Sequence, residues 1–147
     1  MLLENNFILS EKPENKAEFK TALNLAIDKI LNSITDDKAF SGVTPARLKE
    51  IIKLDELLPE VGWGYEKTLD YASSNVIPHF LHTFSTDYMA HLHSPALIET
   101  IACEVILNAF NQSMDSWDQS PVATEMEVEV IRHLLKLYGF PEDGDGV

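Results

Sequence analysis

Residues 95–110 read PALIETIACEVILNAF. Leu97, Ile98, Ile101, Ala102, Val105, Ile106, Ala109 and Phe110 recur at intervals of three and four, the spacing of an α-helix. Their face is broad rather than a narrow stripe, and Pro95 suits the first turn. A helix of this kind needs a cover.

Towards the C-terminus, residues 111–121, NQSMDSWDQSP, are polar and lack a period. Ser120 and Pro121 supply an N-cap and a first helical residue. Met126, Val130, Ile131, Leu134, Leu135 and Tyr138 then mark the expected buried stripe of a second helix. Gly139 is placed to cap it and Pro141 to stop it.

Towards the N-terminus, HTFSTDYMAHLHSP (82–95) is irregular and rich in His and aromatics. A helical pattern runs from near Tyr65 through Leu69, Tyr71 and Ala72 to Val76 and Ile77, where Pro78 ends or kinks it. LLPEVGWG (57–64) reads as a loop. Thr44 and Pro45 open a short helix with Leu48, Ile51 and Ile52 inward. Phe19, Leu23, Ala26, Ile27, Ile30 and Ile34 give an amphipathic helix from Asn15 to Ile34, which TDDKAFSGV (35–43) breaks. No segment alternates with period two, so the chain reads as all-α. The expected organisation is a flexible arm over 1–14, a helical region over 15–82 and a second helical segment over 83–147. Little beyond helices is present to cover the wide apolar faces; a partner surface or further chain is the expected cover.

A length of 147 residues suits about one domain, and 45% hydrophobic residues exclude wholesale disorder. A net charge of −13 with no Lys/Arg run would repel phosphates and argues against nucleic acid. No apolar run reaches membrane-spanning length, and the N-terminus is too acidic for a secretory signal. Cys103 is the only cysteine, which points to the cytoplasm and to a partly buried structural thiol on its helix.

Four histidines, His79, His82, His91 and His93, form a His-x-x-His and a His-x-His pair that Asp87 or Glu99 could complete as a metal set. The spacing matches no metal-family motif, so ordinary hydrogen-bonded histidines are expected and no metal. Glu125, Glu127 and Glu129 alternate along a helix and read as a solvated face. Asp115 and Asp118 sit beside Trp117 in the polar junction. There a carboxylate either caps local N–H groups, the favoured reading, or receives a cation. No Gly-rich nucleotide loop, Gly-x-Ser-x-Gly or Cys-x-x-Cys occurs, and DGDG (143–146) lacks the further acids of a calcium loop.

From about Thr83 the chain resembles the group II pyridoxal-phosphate-dependent amino-acid decarboxylases. The matching residues are DYMAHLHSPALIETIACEVILNAFNQSMDSWDQSPVATEMEVEVIRHLLKLYG and then DGDGV. AHLHSP followed by NQSMDSWDQSP is most similar to the diaminobutyrate branch. Residues 15–82 fit the family's helical N-terminal region through pattern rather than identity.

The resemblance implies a homodimer on the type I aminotransferase-like fold, with this helical part against the other subunit. A following α/β domain would hold pyridoxal 5'-phosphate on a lysine. MAHLHSP would line the substrate side, with His91 where related enzymes place Tyr or Gln, Ser94 at a Thr position and His93 between them. NQSMDSWDQSP would reach the neighbouring subunit's active site. Asp115 would stand where aromatic amino-acid enzymes have an apolar ring, and would meet the distal ammonium of a diamino acid.

The expected substrate-binding set is therefore His91, His93, Ser94 and Asp115, with no catalytic, cofactor-binding or metal residue. Nothing here matches the family's phosphate-binding turn, its His-Lys pair or the acid facing the cofactor's ring nitrogen. The chain is thus expected to be the N-terminal dimerisation and substrate-loop part of a decarboxylase, ending before the cofactor domain and inactive alone. Its rival is a stand-alone helical interaction module that pairs with itself or with an intact decarboxylase subunit.

Overall fold

The computed structural model describes residues 8–35, 38–56, 58–141 and 143–146, and helices are the only regular elements among them. Residues 1–7 of the expected arm, Asp36 and Asp37 of the first break, and Val147 after DGDG lie outside the described residues. The chain divides into two units, Met1–Pro95 and Ala96–Val147.

In the first unit, α1 spans Pro13–Ser33, starting on the proline whose fixed φ suits a first helical position. Ser10 Oγ donates to Asn15 Oδ1 at 2.6 Å, holding the preceding chain to its first turn. α2, Pro45–Ile51, begins as Thr44-Pro45 requires, with Thr44 Oγ1 accepting from the Arg47 N–H at 3.3 Å. α3, Gly64–Tyr71, continues as a π-helical stretch, Ala72–Val76, and a 3₁₀ turn, Ile77–His79. Pro78 explains the change of winding. It has no N–H to donate, and its ring crowds the carbonyl one turn back, so a regular α-helix cannot pass through it.

α1 packs on α3. Lys29 Nζ and Asp70 Oδ1 pair at 2.5 Å between them, a surface contact worth at most about 1 kcal/mol. Tyr65 donates its hydroxyl to Glu18, which raises the Tyr65 pKa, followed in effect by desolvation and by the charges of Glu18 and Glu66. Trp63 meets Tyr71 edge-on at 5.4 Å, and Lys67 Nζ sits 4.3 Å from the Trp63 ring centre.

In the second unit, α4 spans Ile98–Phe110 and α5 spans Pro121–Tyr138, with a 3₁₀ turn at Trp117–Gln119 between them. α4 starts three residues later than Pro95, with Leu97 extended at its N-cap. It ends at Asn111, whose φ of 42° is the left-handed conformation that Asn tolerates better than most residues. α5 ends at Gly139, φ 70°, with Gly139 N–H bonded to Lys136 O and Phe140 N–H to Leu135 O. That is the bonding of a Schellman stop.

Ser120 does not cap α5 with its side chain as expected. It is fully buried, and its Oγ has no hydrogen-bond partner, while its carbonyl accepts from Thr124 N–H and Oγ1. Beyond Pro141 the chain folds back over α5. A Cβ on Gly144 would stand 3.0 Å from Leu135 Cδ2 and 3.1 Å from Pro141 O, a tight approach that would make these neighbours give by a few tenths of an ångström.

Among the described residues no apolar side chain is buried; only Asn15, Ser85 and Ser120 are. Ile52, Met126, Val130, Leu134 and Tyr138, expected inward, are exposed, and of that α5 stripe only Ile131 and Leu135 are partly covered. Cys103 is exposed on α4 rather than partly buried. One cause accounts for these differences: the apolar faces are wide, and the described residues of each unit leave these positions uncovered.

Candidate functional site

His91, His93 and Ser94 lie on an exposed loop of the first unit. The His91 and His93 rings are 6.1 Å apart, and the Tyr88 ring lies 6.5 Å from the first and 6.4 Å from the second. Tyr88 also accepts the His93 backbone N–H on its hydroxyl at 3.1 Å. That bond spans five residues and closes the loop, so Tyr88 sets the position of the His pair. The sequence reading missed Tyr88; its spacing of three and five residues before two histidines was the available signal.

His79 and His82 play a different part. His82 donates its backbone N–H to Ala39 O at 2.9 Å, sets Nε2 3.4 Å from Ile77 O and stacks on Phe84 at 5.2 Å. It ties chain segments together, and its Nδ1, like that of His79, is buried without a partner. Among the described residues no group of three or more His, Cys, Asp or Glu is arranged to hold a metal ion.

Asp115 lies in the second unit. The polar junction gives its two acids different roles. Asp118 Oδ1 accepts from the Ser116 hydroxyl at 2.6 Å, a local side-chain bond in place of the expected capping of a backbone N–H. The Asp115 carboxylate is exposed and enters no hydrogen bond or ion pair among the described residues; only its backbone N–H is engaged, by Ser113 Oγ at 3.4 Å. Trp117, between them, donates Nε1–H to Glu125 Oε1 at 3.0 Å. The structure therefore brings His91 and His93 together, keeps Ser94 next to them in the chain, and leaves Asp115 as a free carboxylate on a braced turn.

A pyridoxal phosphate site needs a lysine for the aldehyde, an acid for the ring nitrogen and a phosphate-binding turn. None of the hydrogen bonds or ring contacts at Tyr88, His91 and His93 involves a lysine, and Lys29 and Lys67 are engaged elsewhere. A cleft of about 750 Å³ in the first unit, lined by Asn32, Ser33, Lys38, Ser73 and His82 among others, includes none of the four expected substrate residues.

No family model matches the chain. It is 34% identical over 140 residues to L-2,4-diaminobutyrate decarboxylase of Rhizobium meliloti (strain 1021), covering 95% of this chain and 28% of that protein. It is 29% identical over 140 residues to L-2,4-diaminobutyrate decarboxylase of Acinetobacter baumannii, covering 95% and 27%. Among solved structures it is similar to the glutamate decarboxylase domain of diaminobutyrate-pyruvate transaminase and L-2,4-diaminobutyrate decarboxylase from Vibrio parahaemolyticus. There the TM-score is 0.86 at 27% identity, over 97% of this chain and 31% of that one. The chain is thus homologous to amino-acid decarboxylases and has the all-helical fold of their N-terminal region. It spans a little over a quarter of the length of the curated relatives it matches.

Proposed function

We propose that these residues are the N-terminal dimerisation and substrate-loop part of a pyridoxal-phosphate-dependent decarboxylase acting on a small polar amino acid, L-2,4-diaminobutyrate first. The observation that carries this reading is the 34% identity to a diaminobutyrate decarboxylase across 95% of the chain. The unpaired Asp115 carboxylate supports the substrate. A distal ammonium needs an anionic partner, and among the described residues the Asp115 carboxylate has no hydrogen bond or ion pair. His91, His93 and Ser94 supply hydrogen bonds to the amino acid. The cofactor, where the whole enzyme binds it, supplies the electron withdrawal that makes loss of CO₂ possible.

On this reading the whole enzyme is a cytoplasmic homodimer, and the 147 residues alone neither hold the cofactor nor turn over substrate. The test is Asp115→Asn in the enzyme that carries this segment. KM for L-2,4-diaminobutyrate rises at least about tenfold, the loss of one charge-assisted bond, while binding of the cofactor is unchanged. Unchanged KM and turnover would remove the substrate assignment. Development of a cofactor absorption band on adding pyridoxal phosphate to the 147-residue chain would overturn its proposed inertness.

A second reading, a stand-alone helical module that pairs with itself or with a decarboxylase subunit, is favoured by one observation. No described apolar side chain is buried.

A further inference from the structure

We infer that Tyr88 is the positioning residue of the substrate loop: its hydroxyl, by holding the His93 backbone, fixes where the His91 and His93 imidazoles meet the amino acid. The inference rests on the proposed substrate set and adds to it a residue that the set does not contain.

The loop hangs on a short series of turns. His82 donates its backbone N–H to Ala39 O at 2.9 Å, Ser85 N–H bonds His82 O at 3.1 Å, and Tyr88 N–H bonds Ser85 O at 3.0 Å. The last two steps are three residues each, the bond of a β-turn. Ser85, where the two turns join, is buried, and its Oγ accepts from Asp87 N–H at 3.3 Å. The Tyr88 backbone is therefore tied to the body of the first unit.

Beyond Tyr88 this support stops. Among the described residues, 89–95 make a single hydrogen bond, from the His93 N–H to the Tyr88 hydroxyl at 3.1 Å. The ring contacts do not replace it. The His93 ring lies nearly parallel to Tyr88, at 12°, but with centres 6.4 Å apart, and the His91 ring is tilted at 6.5 Å. Both distances are near the outer limit of ring contact. The phenolic oxygen therefore decides where the pair stands.

The groups so held are open to a ligand. The His91 and His93 side chains are exposed and enter no hydrogen bond or ion pair among the described residues. Tyr88 also offers a clean substitution. Its hydroxyl makes no other hydrogen bond among the described residues, so phenylalanine keeps the ring and removes only this bond.

The test uses the full-length enzyme that carries this segment, with pyridoxal phosphate bound. Tyr88→Phe is expected to raise KM for L-2,4-diaminobutyrate about two- to tenfold, the net worth of one neutral hydrogen bond. The turnover number and the cofactor absorption band are expected to stay close to wild type. A loss of stability alone would lower the amount of active enzyme and leave KM where it was. His91→Ala combined with His93→Ala is expected to raise KM, and adding Tyr88→Phe to raise it no further, because its effect passes through the pair. An equal Tyr88→Phe effect in both backgrounds, or none where the double substitution raises KM, overturns the positioning role and leaves the substrate set intact. A double substitution that leaves KM unchanged overturns the substrate set, and this inference with it. Hydrogen exchange at the His93 amide, read in peptides covering residues 88–95, needs no turnover. It is expected to quicken in Tyr88→Phe, and an unchanged rate overturns the bond.

Discussion

The indole N–H of Trp117 reaches eight residues forward to the carboxylate of Glu125 at 3.0 Å, joining the turn that holds Asp115 to α5. Both groups are exposed, so the bond contributes about 0.5–1 kcal/mol, enough to bias the turn without locking it. In a Trp63→Phe background Trp117 is the only tryptophan, excited apart from the tyrosines at the red edge of the absorption band. Glu125→Ala should then shift its emission to the red and raise its quenching by iodide, whereas Glu125→Gln, which still accepts the bond, should leave both close to wild type. Equal effects of the two substitutions would mean that the bond does not form in solution.

Gly139 carries α5 through its stop in a conformation that a Cβ disfavours, and nothing lies within 4 Å of where that Cβ would be. Gly139→Ala should therefore cost only backbone strain, about 1 kcal/mol. Asn111 tests the opposite direction. It holds φ 42° at the end of α4, and Asn111→Gly should relieve a few tenths of a kcal/mol. Amide hydrogen exchange in the last turn of each helix reads both, with faster exchange near Lys136 in the first variant and slower exchange near Leu107 in the second.

Thr44 caps α2 through Arg47 N–H, and α2 is only seven residues long. Removing the acceptor by Thr44→Ala should cost about 1 kcal/mol, enough to fray so short a helix, while Thr44→Ser should retain it. Chemical shifts of residues 45–51 in the two variants measure the difference. Equal helicity in both would show that Pro45 alone starts the helix.

Tyr65 links α1 to α3 through Glu18 and stays protonated to higher pH than a free tyrosine. The sign follows from the raised value. The stabilisation is complete below the unfolded pKa of about 10 and is lost as pH rises through the higher folded value. Absorbance titration of the chain against Tyr65→Phe isolates this phenol, which should ionise above the ordinary tyrosine range. Glu18→Ala should bring it back down. A transition at or below the ordinary value in the parent chain would show that the Glu18 bond is not made.

Helix ends set by single residues were legible in the sequence. Thr44-Pro45, Pro121 and Gly139 act where they stand because cap geometry is local. Ser120 misled for the same reason in reverse. Its type suits a cap, yet tertiary burial turns its hydroxyl away from that role. The π-helical stretch at Ala72–Val76 has no residue signature apart from Pro78, and its length depends on how the helix accommodates the ring. Which apolar positions would be covered could not be read from periodicity at all, since a period identifies a face and not what lies on it. In the candidate site, the His91–His93 pair was visible as a motif. The Tyr88 bond that closes its loop was not, because it depends on a turn in the backbone.

Cys103 stands on α4 with its thiol open to solvent, and it is the only sulfhydryl in the chain. Alkylation of that one atom is therefore a clock. Its rate in the isolated chain measures an uncovered helix, and any slowing on assembly counts the fraction of time that α4 is shielded. Whatever comes to lie over this helix will be timed by the protein's own chemistry, with no label added.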